Sequence, residues 1–178
     1  LSRDAFKLGG SAFAQSLDPA DGQQYRIRNM RNNKYLTMTD GSATSISMSN
    51  LQKSEYQFWQ LVKTDAVAND GSVTYNIRNV GWEKGGTSAY LGSGSVGTNA
   101  KITVSSKPGT NSNYVFAGDG GKYALVVCNT SFGINTNPNG DLIVLYDAAD
   151  AGSFWVLEEA SIPQPEIVTL RAHAPRSI

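Results

Sequence analysis

Gln57-Phe58-Trp59-Gln60-Leu61-Val62 and Ser153-Phe154-Trp155-Val156-Leu157-Glu158 each carry two adjacent aromatics followed by alternating apolar residues. That pattern predicts a strand with one face against a core. Each stretch also closes a longer block of similar internal order. The first block opens with Tyr25-Arg26-Ile27-Arg28-Asn29 and the second with Tyr75-Asn76-Ile77-Arg78-Asn79. Tyr123-Ala124-Leu125-Val126-Val127 opens a third, so the three tyrosines, at 25, 75 and 123, are spaced by 50 and 48 residues. Such spacing marks a threefold repeat.

The order persists inside the blocks. Second strands are expected at Tyr35-Leu36-Thr37-Met38, Tyr90-Leu91-Gly92-Ser93 and Phe132-Gly133-Ile134-Asn135. Third strands are expected at Ser45-Ile46-Ser47-Met48, Lys101-Ile102-Thr103-Val104 and Leu142-Ile143-Val144-Leu145. The Phe-Trp stretches are fourth strands, with Asn113-Tyr114-Val115-Phe116 in the middle block. Four strands taken three times fit an all-β fold, the β-trefoil, in which six strands close a barrel and six cap it as hairpins, leaving few open sheet edges. The block length also suits a four-stranded propeller blade. Three blades would make an unusually small ring, which favours the trefoil.

At 178 residues the chain is long enough to bury one core without disulfides. Its formal net charge is zero, so no broad basic field points to nucleic acid or to an anionic membrane. No stretch approaches the roughly 20 apolar residues of a membrane-spanning helix, so no membrane insertion is expected. The single Cys128 ends the apolar run Leu125-Val126-Val127 and is expected as a buried, inert thiol. The chain opens on Leu1 rather than Met, which sets the expectation of a processed or trimmed product.

Residues 1–22 are an N-terminal extension, 23–159 the trefoil, and 160–178 a C-terminal linker or extra strand. Arg3-Asp4-Ala5-Phe6-Lys7-Leu8 is expected to make a short helical turn before Gly9-Gly10. Asp40-Gly41 is a turn between strands, and Asn135-Thr136-Asn137-Pro138-Asn139-Gly140-Asp141 has the residues of a surface loop. The second block departs most from the pattern at Val80-Gly81-Trp82-Glu83-Lys84-Gly85-Gly86-Thr87. Gly92-Ser93-Gly94-Ser95-Val96-Gly97 mimics a phosphate-binding glycine motif but lacks the βαβ context, and it is read as a flexible loop. Arg26, Arg28 and Arg78 alternate with Ile27 and Ile77 and are expected on the solvated face. Past Glu159, Ile162-Pro163-Gln164-Pro165-Glu166 reads as a stiff linker and Ile167-Val168-Thr169-Leu170 as a strand. The tail is either the start of a further domain of a larger parent chain or a strand packed on the trefoil.

Gln57-Phe58-Trp59 is a Gln-x-Trp motif at the end of a trefoil block. The chain therefore resembles the ricin B-type lectin family, over about residues 23–159. The resemblance implies glycan or polysaccharide binding by a secreted or cell-surface protein, without a cofactor. In that family the motif's Gln and Trp support the fold. The sugar is held by an Asp in the second strand, an aromatic ring just after the third, and polar groups near the motif. Block one has Thr37 and Ser49 at those places, with Tyr56 before the motif and Asp40 as a substitute acid. Block two has Gly92 and no aromatic near Ser105-Ser106, although its insertion offers Trp82. Block three lacks Gln-x-Trp but places Tyr146-Asp147 where the ring is expected, with Asn135 and Asn137 near the end of its second strand. Block three is thus the best candidate.

The chemistry asks for an aromatic face against sugar C–H groups and fixed donors and acceptors for hydroxyls. Shallow sites gain strength by multivalency. Each residue also has a plainer reading. Tyr146 covers a hydrophobic edge, Trp82 packs its own loop, the Asn residues make a turn, and the Gln57 amide bonds backbone. His173, the only histidine, lies in the tail, so neither a metal site nor a histidine-based dyad is supported. None of the 15 acids stands in a catalytic motif, and enzyme activity is not expected. Two other readings remain open: a protein-binding trefoil such as a protease inhibitor or cytoskeletal bundler, and a structural accessory domain of a larger secreted glycan-acting protein.

Overall fold

The computed structural model describes residues 13–39 and 45–162. Its strands are β1 (Ser16–Leu17), β2 (Gln24–Asn29), β3 (Tyr35–Met38), β4 (Ile46–Ser49), β5 (Trp59–Val67), β6 (Val73–Asn79), β7 (Tyr90–Ser93) and β8 (Ile102–Ser105). They continue with β9 (Tyr114–Asp119), β10 (Lys122–Val127), β11 (Phe132–Thr136), β12 (Ile143–Asp147) and β13 (Phe154–Glu159). A short helix, α1 (Val80–Lys84), follows β6, and single 3-10 turns at Glu55–Gln57 and Ala151–Ser153 precede β5 and β13. No helix among the described residues is long and apolar enough to cross a membrane.

Strands β2, β5, β6, β9, β10 and β13 pair in succession, and β13 pairs back onto β2, which closes a six-stranded barrel. Hairpins β3–β4, β7–β8 and β11–β12 are attached to β2, β6 and β10. One pairing scheme therefore recurs three times, in the arrangement of a β-trefoil. The registers agree as well: Arg28 faces Tyr35, Arg78 faces Tyr90 and Val126 faces Gly133. Closure leaves every barrel strand paired on both sides, which removes the open edge a lone sheet would carry.

The alternation seen in the sequence sets the core. Ile27, Ile77 and Leu125 from the first strands point inward with no exposure, as do Leu36, Leu91 and Ile134 from the second strands. Trp59, Tyr114 and Trp155 begin their strands' inward faces and are likewise fully buried. Burying such a ring removes about 150–250 Å² from water, worth roughly 4–6 kcal/mol at about 25 cal/mol/Å². The two indoles also satisfy equivalent backbone carbonyls: Trp59 Nε1 donates to Leu36 O at 2.9 Å and Trp155 Nε1 to Ile134 O at 2.8 Å. Tyr114 has the same place but a hydroxyl with no partner among the described residues. Gln57 bonds backbone as expected, its Nε2 donating to Asn50 O and its Oε1 accepting from Gln52 N.

Several expectations need correction. Arg26 and Arg28 are buried rather than solvated, 7% and 9% exposed. The alternation does point them away from the barrel core, but a second layer covers that outer face. The N-terminal segment supplies it: β1 pairs with β13, and Phe13 lies 3.8 Å from the Arg28 guanidinium. Gly92 and Ser93 are not loop but the end of β7, paired to Thr103 and Ile102. Cys128 is half-buried instead of buried, because β10 ends at Val127 and the chain turns through Asn129 with φ 60°. The Arg3–Leu8 turn, Asp40-Gly41, the Ile167–Leu170 strand and His173 lie outside the described residues.

Candidate functional site

The hairpin β11–β12 carries the third block's candidates. Ile134 and Leu145 pair with each other and face the core without exposure, so Gly133, Asn135, Val144 and Tyr146 share the outer face. Tyr146 stands opposite Gly133 in the register and is 38% exposed. Asn135 stands opposite Val144, one pair along, which sets it diagonal to Tyr146 at about 7–8 Å.

Asn135 is itself buried and held by a network. Its Nδ2 donates to Asp150 Oδ2 and to Ser153 Oγ, both at 2.9 Å. Ser153 Oγ in turn donates to Asp147 O at 2.8 Å, tying the end of β12 to the 3-10 turn. Asp150 caps that turn, accepting from Gly152 N at 3.0 Å, and pairs with Arg31 at 3.3 Å. The bond from Asn135 is the main reason its carboxyl sits below the usual carboxylate range; the Gly152 N–H adds to this, burial opposes it, and Arg31 adds again. A Cβ on Gly152 would meet Thr136 O at 2.4 Å, so only glycine allows the turn to approach β11 this closely. Asn135 Oδ1 receives no hydrogen bond among the described residues, which leaves it as a fixed acceptor beside the Arg31–Asp150 pair.

The other third-block candidates serve turns. Asn137 Oδ1 accepts from Asp141 N and Leu142 N at 2.7 and 3.0 Å, and Asp147 Oδ1 accepts from Ala149 N at 2.9 Å. Asp147 remains exposed next to Tyr146.

Trp82 lies on α1, which Asn79 caps by accepting from Trp82 N at 3.1 Å. The ring is half-buried against the core. It belongs spatially to block one: Trp82 Nε1 reaches Thr39 O at 3.4 Å, and Tyr56, Gly81, Gly85 and Thr87 join it around a cavity of about 150 Å³. The Tyr56 ring lies so close to Gly81 that a Cβ there would be 2.8 Å from its Cδ1. Lys84 and Glu55 form an ion pair across the same junction. Beneath it Gln57 Nε2 donates to Thr37 Oγ1 at 3.0 Å. Thr37 and Asn135 thus occupy corresponding places, each bonded to the residue two before a buried Trp. Asp40 lies outside the described residues.

The sequence reading missed Asn29, Arg31, Asn79 and Asp150. Asn29 Nδ2 donates to Gly152 O and Asn79 Nδ2 to Tyr56 O, so two equivalent asparagines dock one block's loop on the 3-10 turn of another. The signal was present, because the Tyr-x-Ile-Arg-Asn pattern ends on Asn twice. Ser54 and Asp150, each five residues before a Trp, are likewise matching turn caps.

No protein-family model matches the chain, and no curated protein sequence matches it. Solved structures do. The Macrolepiota procera ricin B-like lectin, solved in complex with lactose, superposes with a TM-score of 0.65 at 15% identity, over 81% of this chain and 100% of its own. The Polyporus squamosus lectin, bound to Neu5Aca2-6Galb1-4GlcNAc, gives 0.63 at 13% identity over 80% of this chain and 50% of its own. An exo-beta-1,3-galactanase from Clostridium thermocellum gives 0.62 at 22% identity over 80% of this chain but 31% of its own length. At these identities the likeness is one of fold: this chain has the β-trefoil fold of the ricin B-like lectins.

Proposed function

We propose that this chain is a non-catalytic carbohydrate-binding trefoil whose principal site is the outer face of hairpin β11–β12. The observation that carries the reading is Tyr146, an exposed ring, with a fixed acceptor, Asn135 Oδ1, on the diagonally neighbouring residue of the same face. A sugar ring packed on the tyrosine would place a hydroxyl at Asn135, with Arg31 and Asp150 beside it as donor and acceptor. Asp147 extends the polar rim. Asn137 supports the site through its turn. The fold adds weight, since lectins solved with lactose and with a sialylated trisaccharide share it.

A second site at Trp82 and Tyr56 has its own support, two aromatics around a cavity above the Thr37–Gln57 bond. Two such positions on one chain would act together on a multivalent glycan. A secreted or cell-surface location and a larger glycan-acting parent chain fit this reading. A glycan array with the wild type, Tyr146→Ala and Trp82→Ala tests it. Loss of binding in Tyr146→Ala alone supports the β11–β12 site, and loss only in Trp82→Ala moves it to the α1 cavity. A folded wild type that binds no glycan sinks the proposal and turns attention to protein partners.

A further inference from the structure

A cavity of about 270 Å³ opens between the N-terminal segment and the outer wall of β2, β3 and β13. Buried Arg26, Tyr35 and Glu158 form its floor, and exposed Leu51, Glu159 and Ser161 stand at its rim. Neither Tyr146 nor Trp82 lines it. Its size is just below the about 300 Å³ at which pockets for drug-sized ligands begin, so a smaller molecule fits.

The charged groups on the floor are unequally paired. Glu158 is fully engaged: its Oε2 accepts from Arg28 Nε at 2.7 Å and its Oε1 from Tyr35 OH at 2.8 Å. Arg26 has no such partner. Among the described residues only its Nη2 is bonded, to Gln52 O at 3.0 Å, and its guanidinium lies 4.9 Å from the Phe58 ring centre. Its Nε is buried with no hydrogen-bond partner, and no carboxylate of the described residues comes within ion-pair distance. A buried cation without an anion is costly, and guanidinium keeps its proton at physiological pH.

The fold does not require a cation there. The corresponding residues in the other first strands are Asn76 and Ala124. Asn76 is satisfied by the protein itself, donating to Ser112 O at 2.8 Å and Asn113 Oδ1 at 3.0 Å. Of the three equivalent positions, Arg26 is the one that keeps a donor without a partner among the described residues, and it lies beside a cavity.

We propose that this cavity binds a small organic monocarboxylate, its oxygens accepting from Arg26 and its carbon skeleton lying against Leu17 and Leu51. With Glu158 taken up by Arg28 and Tyr35, Arg26 is the one lining cation without an ion pair, and with Glu159 at the rim a single guanidinium suits a monoanion better than a dianion such as phosphate. Leu17 and Leu51 supply an apolar wall that a bare inorganic ion would not use. The guanidinium, with its several fixed N–H groups, matches carboxylate geometry better than an ammonium would.

The test is an NMR titration of the arginine Nε–H signals in the wild-type chain, with acetate, hexanoate, chloride and inorganic phosphate as probes. The expected result is a saturable shift of the Arg26 signal with both carboxylates, tighter for hexanoate, and none with chloride. Arg26→Lys should weaken binding about tenfold. Leu51→Trp, at an exposed rim position that should not disturb folding, should also weaken it. Tyr146→Ala should leave it unchanged, which separates this site from the glycan site. A linear shift common to all four probes, saturation equal for phosphate and acetate, or a response from Arg28 alone would overturn the proposal.

Discussion

Replacing Asp150 with alanine removes the carboxylate that holds the third-block network together. Three donors lose their acceptor at once: Asn135 Nδ2, the Gly152 N–H and Arg31. Loss of the turn cap costs about 1 kcal/mol. The bond from Asn135 to a charged acceptor is worth about 1.5 kcal/mol, partly recovered because Nδ2 keeps Ser153 Oγ. The Arg31 pair adds little, since its side chains are 24% and 30% exposed. The expected loss is about 2 kcal/mol, or about 4–8 °C in Tm for a chain of this size. Asp150→Asn keeps a cap and an acceptor and should lose about half as much. Urea unfolding followed by tryptophan fluorescence measures both, because Trp59 and Trp155 are buried only in the folded state. The pH dependence adds a second check. The Asp150 carboxyl has a folded pKa below its unfolded one, so its contribution is complete above the unfolded pKa and disappears as pH falls through the folded value. The gap between wild type and Asp150→Asn should therefore narrow in acid. An alanine variant within about 0.5 kcal/mol of wild type, or a gap unchanged from neutral pH into acid, would refute the reasoning.

Tyr114→Phe removes a buried hydroxyl that has no partner and should stabilise the chain by about 1 kcal/mol in the same assay, whereas Trp59→Phe strips Leu36 O of its donor and should cost about 2–3 kcal/mol. Gly81→Ala drives a Cβ into the Tyr56 ring and backbone and should cost about 1–3 kcal/mol, with quencher access to Trp82 rising as α1 lifts away. Burial, reinforced by the bond to Asp18 Oδ1, pushes the Tyr123 phenol up to about 12. Its share of stability is therefore complete below the unfolded tyrosine pKa and lost as pH rises through about 12. Alkaline absorbance titration should show that late ionisation, and Asp18→Asn should bring it down; an unchanged midpoint would sink the assignment.

Strand positions, block boundaries and the buried aromatics were legible in the sequence because each is a local property. Alternation along Tyr25-Arg26-Ile27-Arg28 fixes which residues share a face, and spacing fixes which strands correspond. What covers a face is not local. Arg26 and Arg28 carry the pattern of solvated residues, yet residues 13–17 lie over them, and nothing in the first strand encodes that. Trp82 reads as part of the second block, but barrel closure brings α1 onto the turn that ends the first. Asn135 and Asp150 are 15 residues apart and look like two loop polar groups; only the approach of the 3-10 turn to β11, permitted by Gly152, makes them one hydrogen-bonded pair. The strands and their threefold order follow from short-range periodicity, which any stretch of the chain carries locally. Which side chains meet outside the barrel follows from where separate segments come to rest, and that is a property of the folded chain alone.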